Sequence, residues 1–182
     1  MIELSTPRLI IRPICKADAE SVFGYRSDSV TNKYQGWIPQ TIDDVVNFIE
    51  NRVSPTFNIQ GTWFQLVIIK KEDHVLIGDI GLHFFDPENQ QVEIGFTIDK
   101  NHQKQGYATE AVSEIIRFLF QDLDKHRIMA SIDPENINSI KLVGKLGLRQ
   151  EAHFKESIFQ NGAWLDDLVY AILRKEWNGG VP

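Results

Sequence analysis

The stretch that most limits what this chain can become is Val92 to Leu119, where an alternating strand runs through a polar turn into a helix that lacks a cap. Val92, Ile94, Phe96 and Ile98 share one strand face, and Glu93, Gly95 and Thr97 share the other. Ala108, Ala111, Val112, Ile115, Ile116 and Leu119 then recur at the spacing of one apolar helical face. The first N–H groups of any helix have no internal partner, and Ser, Thr, Asp or Asn normally satisfies some of them. Here the entry reads Gln103, Lys104, Gln105, Gly106, Tyr107, which offers no such side chain. An anion is the natural acceptor, favoured by the helix dipole and by Lys104, and Gly106 would let the backbone approach it closely.

The rest of the chain predicts an α+β domain. Leu9 to Ile14 reads as a strand leading into a helix that carries Ala19, Val22, Phe23 and Arg26, and Thr41 caps a second helix. Trp63 to Lys70, Val75 to Phe85 and Val92 to Ile98 form an antiparallel meander. After the long helix from Gly106 to about Asp122, Arg127 to Ile132 is a buried strand, which the crossover places parallel to Val92 to Ile98. A short helix follows from Ser139 to Leu146, and Phe154 to Phe159 and Ala163 to Leu173 make a hairpin around Asn161 and Gly162. The expected architecture is one mixed, mostly antiparallel sheet with flanking helices, in a single domain over residues 1–182.

Composition excludes several functions. With 42% hydrophobic residues among 182 the chain can build a proper core, so disorder is not an option. A net charge of -6 provides no basic footprint for nucleic acid. No segment approaches the roughly 20 apolar residues of a membrane span. A lone Cys15 forms no internal disulfide and fits a reducing cytosol, and the histidines at 74, 83, 102, 126 and 153 lack metal-ligand spacing. The expectation is a cytosolic protein without a metal, nucleic acid or membrane partner. Neither of the two common dinucleotide and nucleotide glycine motifs is present.

"QKQGYA", placed after a strand and opening a helix, resembles the pyrophosphate loop of the GNAT superfamily of acyl-CoA-dependent N-acyltransferases. "NINSIKLVGKLGLRQEA" is similar to the same family's downstream N-x-x-S helix, "TPRLIIRP" to its start, and the tail "HFKESIFQNGAWLDDLVYAIL" resembles the RimJ/RimL-type branch. The resemblance implies a GNAT fold, in which Val92 to Ile98 and Arg127 to Ile132 splay apart to receive the pantetheine arm of acetyl-CoA. It implies a cofactor set of Ile98, Gln103, Lys104, Gln105, Gly106, Tyr107, Ala108, Thr109, Asn136 and Ser139. It implies acetyl transfer to a primary amine, a peptide N-terminus or a small molecule, by direct attack, and a possible homodimer through the C-terminal strands. The contrasting class is a non-catalytic acyl-CoA sensor.

For catalysis, Glu93 resembles the strand glutamate that serves as base in some members. Burial would raise its pKa toward the working range, and a half-exposed surface glutamate is the bland alternative. Glu156 is the second candidate base or substrate contact, because Ile158 stands where the branch carries glutamate and Glu156 sits two residues earlier on the same strand face; a solvated surface glutamate is its ordinary reading. Ser139 resembles the serine that assists the departing sulfur, since Val143 replaces the tyrosine used by many members; a helix-cap serine is its ordinary reading. Asn136 orients pantetheine or simply turns the chain. Tyr34 and Trp37 either line an acceptor pocket or seal the core's edge, and His83 either borders the cleft or is a hydrogen-bonded structural histidine.

Overall fold

The computed structural model describes residues 2–160 and 162–179. Its elements in chain order are β1 (Leu4–Ser5), β2 (Leu9–Pro13), α1 (Ala19–Arg26), α2 (Ile42–Asn51), β3 (Thr62–Lys70), β4 (Leu76–Phe84), β5 (Gln91–Ile98), α3 (Tyr107–Gln121), β6 (Arg127–Ile132), α4 (Ile137–Lys145), β7 (Arg149–Gln160) and β8 (Ala163–Leu173). The strands form one sheet in the order β1-β2-β3-β4-β5-β6-β8-β7. Only β5 and β6 run parallel; the other neighbours are antiparallel. The α+β class, the mixed sheet and the parallel pair are as the sequence predicts.

Alternation divides the sheet into two faces. Leu9, Ile11, Leu66, Ile68, Ile80, Leu82, Val92 and Ile94 are buried on one face, against Ala111, Val112, Ile115, Ile116 and Leu119 of α3. On the other face a smaller core joins Val67 to Ala19, Val22 and Tyr25 of α1 and Val45 of α2. Thr41 caps α2 as expected, accepting from the Asp44 N–H while Asp44 reaches back to the Thr41 N–H. Under α1, Asp79 is 1% exposed and accepts hydrogen bonds from Tyr25, Arg26 and Gln65. That polar knot fixes α1 on the sheet, because losing Arg26 would leave the buried carboxylate without its counter-charge.

Three boundaries differ from the sequence reading. The two-residue β1 carries too little alternation to be recognised. Strand β7 begins at Arg149 rather than Phe154, and register shifts at 150–152 and 154–158 conceal its period. Helix α4 begins at Ile137, with Asn136 as its N-cap. The hairpin pairs Gln160 with Ala163, and Gly162 has φ +81°, while Asn161 lies outside the described residues.

Candidate active site

Strands β5 and β6 pair only at Gln91 with Arg127, Val92 with Ile128 and Glu93 with Met129. Beyond that row they part, although β5 runs on to Ile98 and β6 to Ile132. Each keeps its other neighbour: β5 pairs with β4 as far as Ile98, and β6 with β8 along its whole length. The parting therefore leaves backbone groups on the two inner edges without a strand to meet them. A cleft of about 680 Å³ lies past the parting, lined by Phe96, Thr97 and Ile98 at the end of β5 and, on the bank that follows β6, by α4.

This cleft gathers most of the residues expected to hold the cofactor. Ile98, Gln103, Lys104, Gly106, Tyr107, Ala108 and Thr109 line it from the β5 to α3 side, Asn136 and Ser139 from the opposite bank, and Tyr34 from above. Gln105, Trp37, His83, Glu93 and Glu156 are not on its wall. Sequence reasoning missed Lys141 and Lys145, which also line it, one helical turn apart on α4. Nothing distinguishes them in the sequence from solvated helix lysines. With Lys33 and Lys104 they set four lysines against the carboxylate of Glu135 on this wall, a locally cationic cleft in an acidic chain.

The turn before α3 is built by local side-chain bonds. Gln103 donates from Nε2 to the Ile98 carbonyl at 3.0 Å, and Gln105 donates to the Asn101 carbonyl at 3.2 Å. Lys104 has φ +60° and Gly106 φ +85°, both in the left-handed region. Gly106 is the N-cap of α3 and supplies no side chain, and the first helical bond runs from the Glu110 N–H to the Gly106 carbonyl. Among the described residues, no acceptor meets the N–H groups of Gly106, Tyr107, Ala108 and Thr109. The glycine has a reason absent from the sequence: a Cβ at 106 would lie 3.2 Å from the Arg8 guanidinium.

On the opposite bank, the Asn136 side chain accepts from the Ser139 N–H at 3.2 Å. Ser139 is thus the third residue of α4, so the helix-cap reading belongs to Asn136 instead. Above, the Tyr34 hydroxyl donates to the Glu135 carbonyl at 3.0 Å, and Gln160 from the β7–β8 hairpin donates to the Gln35 carbonyl at 2.9 Å. The segment between α1 and α2 is strapped across the cleft. Asp28 shapes the start of this strap, accepting from Lys100 and from the Thr31 and Val30 N–H groups; these bonds, Lys100 first, hold its carboxyl down at about 2. Trp37 turns away, stacking on Phe48 at 4.4 Å in the smaller core.

Glu93 and His83 lie opposite one another on β5 and β4, in a row that Trp63 and Met129 extend. His83 Nδ1 is 3.3 Å from Glu93 Oε2, and its ring stacks on Trp63 with centroids 4.6 Å apart. About a quarter of each side chain is exposed. The neighbouring row pairs Gly81 with Gly95, and a Cβ at Gly95 would meet nothing within 4 Å. Open space therefore adjoins the carboxylate at the row where the strands begin to part. From Ile98 to Glu93 the strand spans about 17 Å, at about 3.3 Å per residue.

Glu156 does not share a continuous strand face with Ile158. It sits inside a register shift with φ +46°, its N–H donates to Asp166, and its side chain is exposed. Among the described residues no group of three or more His, Cys, Asp or Glu could hold a metal ion, and no helix is long and apolar enough to cross a membrane.

The family model for the acetyltransferase (GNAT) domain matches residues 8–149. The chain is 34% identical over 180 residues to the uncharacterized N-acetyltransferase YnaD of Bacillus subtilis (strain 168), covering 97% of this chain and 100% of that protein. It is 24% identical over 191 residues to the [ribosomal protein uS5]-alanine N-acetyltransferase of Escherichia coli (strain K12), covering 98% and 94%. Among solved structures, a GNAT-family acetyltransferase from Bacillus anthracis superposes with a TM-score of 0.85 at 31% identity, covering 96% of this chain and 100% of that one. With a family model spanning most of its length and a full-length relative at this identity, the chain belongs to the GNAT family of N-acetyltransferases.

Proposed function

We propose that this chain transfers the acetyl group of acetyl-CoA to a primary amine by direct attack, with both substrates bound at once. The observation that carries the reading is the uncapped N-terminus of α3 at the mouth of the β5–β6 cleft, where four N–H groups have no acceptor among the described residues. Those donors and the surrounding lysines suit a pyrophosphate, and the unpaired inner edges of β5 and β6 suit an amide-bearing arm lying between them. Acetyl-CoA supplies an activated carbonyl carbon with a thiolate leaving group.

The amine nitrogen bonds to that carbon as the carbon–sulfur bond breaks. Glu93 receives the proton the amine gives up, directly or through one water, and His83 steadies its carboxylate. A β5 backbone N–H can donate to the carbonyl oxygen as charge collects there. Ser139, on the cleft wall, returns a proton to the sulfur and is replenished from solvent. The space above Gly95 and the row Trp63, His83, Glu93 offer room and a negative charge for an incoming amine. The relative that acts on a ribosomal-protein alanine makes a protein N-terminus one acceptor to test beside polyamines and other alkylamines. A thiol-release assay with acetyl-CoA against such a panel tests the proposal. Release that depends on an amine is the expected result, and tight CoA binding without release on any amine would refute it in favour of a sensor.

A further inference from the structure

The cradle at the start of α3 is held from outside by a residue almost a hundred positions earlier. Arg8 precedes β2, and its Nη1 donates to the Gln105 carbonyl at 3.0 Å. Its backbone N–H and its Nε both donate to Glu110, at 2.9 and 2.6 Å, and its guanidinium carbon lies 4.4 Å from the centre of the Tyr107 ring. The Thr6 hydroxyl donates to the same carboxylate at 2.6 Å. Burial opposes ionisation of Glu110, yet these donors outweigh it and hold the carboxyl below its ordinary range. The guanidinium is thus fixed on an edge, on a face and at its tip, far more tightly than a surface arginine needs.

What it grips is the peptide between Gln105 and Gly106. In a trans peptide the carbonyl and the N–H point in opposite directions. With the Gln105 oxygen drawn toward Arg8, the Gly106 N–H is turned to the other side, and Gly106 lies on the cleft wall while Arg8 does not. Glycine accepts φ of either sign at little cost, so this peptide could otherwise reverse. Reversal would replace a donor facing a bound anion with a carbonyl oxygen.

We infer that Arg8 is a positioning residue that locks the Gln105–Gly106 peptide with its N–H toward the cleft, and so sets the affinity for the diphosphate part of the acetyl donor. The inference rests on the proposed binding of acetyl-CoA at this cradle. It assigns Arg8 no contact with the substrate. Glu110, Thr6 and Tyr107 act as the mount that holds it.

Calorimetry with CoA and with pantetheine, which lacks the diphosphate, separates this role from general support of the fold. In Arg8→Gln the dissociation constant for CoA is expected to rise roughly 10- to 100-fold, the worth of a charge-assisted hydrogen bond. Pantetheine affinity is expected to stay unchanged. Arg8→Lys should not restore CoA binding, since an ammonium cannot hold Glu110, Tyr107 and the carbonyl together. Glu110→Gln, which loosens the mount, should show the same selectivity in weaker form and serves if the Arg8 variant folds poorly. Equal losses for both ligands, no loss for CoA, or full recovery in Arg8→Lys would overturn the lock while leaving the cradle in place. A wild-type protein that binds CoA no better than pantetheine would overturn the cradle reading and the lock together.

Discussion

Replacing Glu93 by Gln removes a proton acceptor while leaving a side chain that still reaches His83, 3.3 Å away, so the row across the sheet should survive. The size of the defect follows from the acceptor. At pH 7 an amine with a lysine-like pKa of about 10.4 is neutral in roughly one molecule in 2,500, whereas an α-amine of pKa about 7.8 is neutral in roughly one in seven. A base on the protein has correspondingly more to contribute for an alkylamine than for a peptide N-terminus. With an alkylamine, kcat should fall roughly 10² to 10⁴-fold at pH 7, the usual span for general-base catalysis. With an α-amine the fall should be about tenfold. The defect should shrink about tenfold per pH unit and vanish above the pKa of the amine. KM for acetyl-CoA should not move, because Glu93 lies about 17 Å along β5 from the cradle end at Ile98. Steady-state thiol release between pH 6 and 10 reads all of this, and the comparison of amines also reports the acceptor class. A kcat unchanged at pH 7, or a defect of the same size at pH 7 and pH 10, would refute the assignment.

Ser139→Ala should cost roughly tenfold in kcat, less than Glu93→Gln with an alkylamine, because a thiol of pKa about 8.5 departs readily near neutrality; a solvent isotope effect that is the same in wild type and Ser139→Ala would count against a proton from Ser139. Gly106→Ala places a side chain at φ +85° and 3.2 Å from Arg8. The left-handed conformation costs about 1–2 kcal/mol, so calorimetric melting should drop by about 2–8 °C, together with a loss of CoA affinity. Below neutral pH the strap over the cleft should respond before the core. Asp28 titrates at about 2, against an ordinary 3.8, so its support of the Val30 and Thr31 amides is complete above pH 4 and is lost as pH falls through 2. Amide exchange protection at those two residues tracks it, and protection already lost at pH 4 would contradict the assignment.

Local periodicity made the centre of this molecule legible. The alternation of Val92 to Ile98 and the apolar stripe from Ala108 to Leu119 fix β5 and α3 without outside help, and the glycine-led entry between them points to a ligand. What escaped was set by contacts between distant segments. No local signal tells that Arg8 will meet Gln105 and Glu110, or that Trp37 will stack on Phe48 while Tyr34, three residues earlier, bridges to Glu135. The true start of β7 was hidden because two register shifts break the period by which strands are recognised, and the same shifts undo the shared face read for Glu156 and Ile158. At α4, the sequence reading gave the cap to Ser139 and a turn to Asn136, and the bond between them makes Asn136 the cap instead.

The strap across the cleft has one more implication. Its two tethers come from different parts of the chain, one at the turn before α4 and one at the far end of the β7–β8 hairpin. On the proposed function, an incoming amine would pass a doorway framed by three segments that are remote in sequence. Because Lys33 and Tyr34 of that frame also line the cleft beside the α3 turn, a change there would act on both guests at once and tie the choice of acceptor to the grip on the donor.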